Sequence, residues 1–392
     1  NAYSVSNWTL PAHAALFWGL HPAVLDYWDD EKPTLPPEGV LSIVELFQKE
    51  GYRTGAFVSG DMLGKDFGFE RGFDTFVVMV PSSPSATPDM SPALAWIDSS
   101  NKPLFLFIHL VINHRPHTPP PPYNLFLDPD QKNLYEGILR EIETAANGER
   151  SKLYRLSLDR FDFSRNAFSP AFAAALYDGD VRFSDDVAGG LLERIDAMGV
   201  GKNSIVVLLS DHGEELNEHG KYFHGRTLYD ETIRIPLFIR APGNDLADKI
   251  ENRLVSLVDV PPTLLHLAKL PLPKYFQGRP VPPFAPPWDR PIYAQHELED
   301  LSRQAIRTDR WKLILSRGQK PELYDIVEDP AEKNNLAEQP NHRKTLKRLS
   351  NDIAAYRQKN LSLRKTLRAP SAPSRPPSDE LLKSLRDLGY IR

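Results

Sequence analysis

The chain has no cysteine among its 392 residues. Disulfides, thiolate metal sites and cysteine nucleophiles are therefore excluded together. Compartment stays open, an extracytoplasmic one included, because reducing and oxidising locations both tolerate a cysteine-free chain. Positive charge is not in excess either: 47 Lys and Arg stand against 52 Asp and Glu, a formal net charge of −5. Nucleic acid is excluded as the main partner, since phosphate backbones want a basic surface. No apolar run reaches the roughly 20 residues of a membrane-spanning helix. An initiating methionine is also missing, so the start at Asn1 carries no information on a signal peptide. What remains is a 41% hydrophobic composition, enough for one large domain and a smaller one.

The most informative stretch runs from Ile205 to Arg240. Ile205-Val-Val-Leu-Leu is a short β-branched apolar run that reads as a buried strand. It stops at Ser210-Asp211-His212-Gly213. In α/β sheets, ligands collect beyond the carboxyl ends of strands. Asp211 and His212 there can offer a hard oxygen and a borderline nitrogen to one divalent metal. His219 and His224 follow within a loop, and Arg234-Ile-Pro236-Leu-Phe-Ile-Arg240 reads as a returning strand. A lone Asp-His-Gly would read as easily as a polar turn with solvated histidines.

Near the start, Asn7-Trp8-Thr9-Leu-Pro11-Ala-His13 leads into Ala14 to Trp18 and Gly19. Thr9 suits a helix N-cap and Pro11 a first turn. A hydroxyl at a helix start faces backbone N–H groups that stabilise an anion. Most capping threonines only cap, so chemistry alone leaves that reading in place.

Taken together these motifs resemble the sulfatase family of the alkaline phosphatase superfamily. The family carries Ser-Asp-His/Asn-Gly at a strand end, then Glu-His-Gly, then Tyr-Asp/Glu-Glu with Arg-x-Pro-Leu. Here these read Ser210 to Gly213, Glu218-His219-Gly220, and Tyr229-Asp-Glu with Arg234-Ile-Pro236-Leu. Leu257-Val-Asp259 through Thr263-Leu-Leu and Gln277-Gly278-Arg279 continue the family order. The frame Thr9-x-Pro11-x-His13 falls where the family has Cys/Ser-x-Pro-x-Arg. Thr9 thus occupies the place of the residue oxidised to formylglycine, and threonine is not a substrate for that conversion. The resemblance implies an α/β fold with a large mixed sheet between helices, and a small C-terminal antiparallel sheet plus helix. It implies metal-dependent hydrolysis of a sulfate or phosphate ester. Thr9 would be the nucleophile, and one or two divalent ions (Mn, Zn, Mg or Ca) would be held by Asp211, His212 and Thr9. His13, His114 and His224 would contact the ester oxygens or protonate the leaving group, with Arg226 a weaker candidate. The substrate would be an anionic ester of a small molecule, glycan or lipid headgroup. The family's opening strand, which ends in a carboxylate ligand, does not precede Thr9. Weak metal binding, little turnover and an exposed sheet edge are the expectation.

Elsewhere, Pro103 to His109 reads as a strand, with His109 a core histidine. Asp128 to Ala171 reads as a charged, partly helical insertion, and Ala171 to Gly199 as a helix. Asp259 reads as a capping acid. Pro280 to Pro291 reads as a linker between a domain over 1–284 and a subdomain over 292–368. Residues 369–392 read as a flexible tail with a short terminal helix. Two rivals accompany the hydrolase reading: a phosphoryl transferase acting on a headgroup, and a non-catalytic domain binding an anionic glycan or headgroup.

Overall fold

The computed structural model describes residues 1–367 other than 26–35, 38, 80–82, 84, 100, 244–248, 288 and 299–300. The expected tail over 369–392 lies outside the described residues. Within them the α/β architecture is present, with the central β layer divided into pieces. Thr75–Met79, Arg53–Ser59 and Leu104–His109 form a parallel sheet in that order. Val206–Leu209 pairs antiparallel with Leu237–Arg240. Ala2–Tyr3 lies between Val255–Ser256, parallel, and Arg234–Ile235, antiparallel.

The helix Thr9–Trp18 is apolar on every side and nearly all buried, as a helix without a polar face must be. It ends at Gly19, which is left-handed with φ +62°, and a Cβ there would come within 2.7 Å of the Phe276 ring. Thr9 is the first helical residue, not the N-cap: Trp8 holds that place in extended geometry, with no side-chain cap. The threonine hydroxyl turns instead to His212. Ile43–Lys49 begins on a reciprocal Ser42–Glu45 capping box and packs its apolar residues beside this helix. The charged insertion forms two helices, Pro129–Ala146 and Arg150–Arg160, before the long helix Pro170–Ala197. Asp259 does cap: it closes a box with Ser256, and its buried carboxylate also binds Arg290.

At the C-terminal end four antiparallel strands follow one another: Ile292–Leu298, Leu301–Arg307, Trp311–Ser316 and Glu322–Asp325. Their alternation serves two cores. Ile306, Leu313 and Leu323 meet Leu349 and Ile353 of the helix Arg343–Leu367. Ala305, Ile314 and Tyr324 meet Tyr3, Leu228 and Ile233. Side chains at successive positions face opposite ways, so one meander covers its own helix and the larger sheet region together.

One expectation is corrected. The run from Ile205 reads as a fully buried strand, yet Val206–Leu209 is only half-buried and Leu208 is 36% exposed. Among the described residues, Val206–Leu209 and Leu104–His109 each have one unpaired edge. Both line one cavity of about 2040 Å³. Apolar composition signals burial only where a neighbour is present to bury it.

Candidate active site

The carboxyl ends of those two strands and the start of the first helix meet at the mouth of the cavity, which Thr9, His13, His109, His114, Asp211 and His212 all line. Gly213 lets the chain turn tightly here: its N–H donates to the Thr232 carbonyl at 2.9 Å. A Cβ at this position would lie 2.1 Å from the Glu231 carbonyl oxygen, so no other residue fits.

Asp211, His212 and Thr9 come together as expected. His212 Nε2 is 3.5 Å from Thr9 Oγ1 and 3.5 Å from Asp211 Oδ2. His13 Nδ1 lies 3.4 Å from the same Asp211 oxygen. That oxygen is buried without a hydrogen-bond partner among the described residues. Burial pushes the Asp211 carboxyl up, but the facing His212, His13, His109 and His224 outweigh it and hold the carboxyl well below the usual range.

The imidazoles share one arrangement. His212 Nδ1–H donates to the Gly213 carbonyl at 2.8 Å, and His13 Nδ1–H to the Thr9 carbonyl at 3.0 Å. His109 Nδ1–H donates to the Ser59 carbonyl at 3.0 Å, and His114 Nδ1–H to the Arg115 carbonyl at 2.7 Å. His224 Nδ1–H lies 3.1 Å from both carboxylate oxygens of Glu214. Carbonyls and carboxylates only accept, so each Nδ1 carries the proton and each Nε2 is the lone-pair nitrogen. Burial depresses the basicity of four of them, with His109 pushed down to about 4 and His114 to about 3. His13 and His224 are lowered for the same reason. These four rings are neutral at neutral pH and offer lone pairs, not charge.

An orphaned carboxylate oxygen beside an imidazole Nε2 whose ring is fixed through Nδ1 is what a divalent cation needs. The residues present therefore fit a metal held by Asp211 and His212, with Thr9 beside them.

His224 reaches the site through its neighbours: its ring is 4.3 Å from that of His212 and 5.0 Å from that of His114. Arg226 is exposed and does not line the cavity. Three participants are new. Glu214 fixes the His224 tautomer. His109, read as a core histidine, packs its ring 5.0 Å from His13 at the cavity wall. Arg115 also lines the cavity. Only His109 carried a sequence signal, as the last residue of an apolar strand.

A family model described as Sulfatase matches residues 1–270, and one described as N-sulphoglucosamine sulphohydrolase, C-terminal, matches residues 217–359. Arylsulfatase K of Canis lupus familiaris is 24% identical over 389 residues, covering 86% of this chain and 71% of that protein. An ulvan-active sulfatase of Formosa agariphila is 25% identical over 404 residues, covering 92% and 73%. A solved structure of a protein with its substrate D-glucosamine-2-N,6-O-disulfate superposes with a TM-score of 0.73 at 22% identity, covering 92% of this chain and 90% of that one. With a family model matched over more than half its length, the chain belongs to the sulfatase family, whose members use a divalent metal ion, and is an ester hydrolase of the sulfuric ester class.

Proposed function

We propose that this chain hydrolyses the sulfate ester of a sugar-like substrate with Thr9 as the attacking group. The carrying observation is the convergence of Thr9 Oγ1 and the orphaned Asp211 Oδ2 on His212 Nε2, each 3.5 Å from that nitrogen. Asp211 and His212 would hold a divalent cation, which lowers the pKa of a hydroxyl and screens the charge of the ester. Thr9 Oγ1 attacks sulfur, forming an oxygen–sulfur bond as the bond to the leaving alcohol breaks. The proton lost by Thr9 is the one the alcohol gains, carried by the imidazoles beside it. Glu214 holds His224 with Nε2 turned to accept and return that proton. Arg115, at the cavity wall, supplies positive charge for the anionic oxygens. Water then attacks sulfur, releasing sulfate and restoring Thr9. A sulfated sugar is the favoured substrate class because a structural neighbour with this fold binds one, and the cavity has room for it.

The first test uses 4-nitrophenyl sulfate and 4-nitrophenyl phosphate in matched assays. Thr9→Ala is expected to abolish turnover and Thr9→Ser to retain part of it. Mass spectrometry of the quenched enzyme should find a sulfo group on the peptide containing Thr9. Unchanged turnover in Thr9→Ala would mean that water, not Thr9, attacks. Faster phosphate cleavage would move the reading to phosphoryl transfer, where a threonine ester intermediate is equally competent.

A further inference from the structure

We propose a second divalent-cation site, separate from the catalytic one, built from Glu215, His219 and Glu231. These three place one imidazole nitrogen and two carboxylate oxygens within 4.8 Å of one another. Glu231 borders the large cavity, but Glu215 and His219 do not line it. The short strand around Glu215 separates the two sites: Glu214 turns to His224, and Glu215, next in the chain, turns the opposite way to Thr227.

The loop is shaped for this. Glu215–Leu216 pairs with Tyr222–Phe223. The turn between them uses positive φ at Asn217 and Gly220, and Asn217 N–H donates to the Lys221 carbonyl at 2.7 Å. His219 is thereby folded back against Tyr229, ring on ring at 3.6 Å. Glu231 comes from the helix Asp230–Ile233 that follows.

Electron counting carries the argument. His219 Nε2 is 3.0 Å from the Glu332 carbonyl, which can only accept, so Nε2 bears the proton. In a neutral ring Nδ1 then presents a lone pair. It presents that lone pair to a Glu231 carboxylate oxygen at very short range. Two lone pairs do not face each other unless a cation lies between them. At this separation the cation is a proton shared by His219 and Glu231, and a metal takes its place only as the two groups open to metal–ligand spacing. Glu215 favours that exchange. It is 1% exposed, and its Oε1 has no hydrogen-bond partner among the described residues, while Oε2 is satisfied by Thr227 Oγ1 at 2.9 Å. A proton shared by His219 and Glu231 leaves this buried oxygen unsatisfied, at a cost on the order of 1–3 kcal/mol. A cation reached by all three groups satisfies every one of them. One imidazole and two carboxylates suit a borderline ion of the zinc type, with water completing the coordination. The Glu332 carbonyl is the outer partner that orients the histidine. The role is structural: the ion would tie the hairpin loop to the helix Asp230–Ile233.

The test must silence the catalytic pair. In chelated Asp211→Asn/His212→Ala protein of the full 392-residue chain, added Zn2+ alone is expected to bind at one equivalent and to raise Tm. X-ray absorption at the zinc edge should show one nitrogen ligand and at least two oxygen ligands. Adding Glu215→Gln should weaken binding at least tenfold and remove the Tm rise. Nitrogen NMR of histidine supplies a readout independent of that substitution, with His219 Nδ1 unprotonated when Zn2+ is bound. No zinc uptake in the double variant would overturn the proposal. So would undiminished uptake with Glu215→Gln, or a His219 that keeps both protons at saturating Zn2+. None of these results touches the catalytic reading, whose ligands are absent from the test protein.

Discussion

At the scale of single residues, the chemistry rests on side chains whose protonation the fold decides. His117 and Asp180 show this outside the proposed metal sites. Both are buried, and His117 Nδ1 lies 2.9 Å from Asp180 Oδ2. Burial pushes the Asp180 carboxyl well up and the His117 imidazole down. The pair is therefore neutral, with a protonated Asp180 donating to the imidazole. Asparagine can make the same donation. Asp180→Asn is expected to cost less than about 1 kcal/mol, and Asp180→Leu about 2–3 kcal/mol by leaving His117 without its partner. Urea unfolding of the two variants decides this; an Asp180→Asn as damaging as Asp180→Leu would mean that the pair is ionic. The same scale shows what a sequence can disclose about a site. Asp211, His212 and Thr9 were singled out because each sits at an element's end within a motif that resembles the sulfatase family's; local pattern alone reads as easily as a polar turn or a capping threonine. Glu214 was not: it lies two residues beyond His212 in a charged pair, and only the fold tells which of the two acids faces His224. Arg226 was expected as a weaker contact to the ester, but the turn carries it to solvent.

At the scale of elements, existence was easy to read and environment was not. Helices with strong boundary chemistry, such as Pro170–Ala197 with its Ser169 N-cap, stand within a few residues of expectation. The strands Leu104–His109 and Val206–Leu209 also form where the apolar runs stand. Their surroundings could not be inferred, because a run of apolar residues does not reveal how many neighbours it has. Both face the cavity with an unpaired edge among the described residues, and an exposed edge is a template for pairing with another chain. Hydrogen exchange gives a sharp check. Arg53–Ser59 pairs on both sides, so its amides should be slow throughout. In Leu104–His109 only the amides directed at Arg53–Ser59 are bonded in the sheet, so slow and fast exchange should alternate with a period of two. Uniform protection along Leu104–His109 would show that something covers this edge in solution.

At the scale of the whole molecule, charge and burial link distant segments, and their pH dependence is predictable. Lys312, fully buried in the C-terminal meander, is bound by Asp230 at 2.6 Å and Glu332 at 2.7 Å. The same fold buries two histidines outside the catalytic cluster. His21 accepts at Nδ1 from the Ala23 N–H, and His296 Nδ1–H donates to Asn7 Oδ1 at 2.8 Å. Burial pushes His21 down to about 3 and His296 down to about 4. In the unfolded chain each titrates near 6.5. Between these values the unfolded state binds the proton and the folded state does not. The slope of unfolding free energy against pH is therefore positive for both groups. Their contribution is intact above about pH 6.5. It is lost as pH falls, completely by about 4 for His296 and about 3 for His21. Buried carboxyls raised by burial, such as Asp180 and Glu214, have the opposite sign, so the total curve mixes both. A difference between variants separates them. His296→Gln keeps a donor for Asn7 but has no proton to gain. Between pH 7 and 4.5 the parent chain is expected to lose about 2–3 kcal/mol more than this variant. Urea unfolding at each pH measures the gap, and parallel curves would mean that His296 is already protonated in the folded protein.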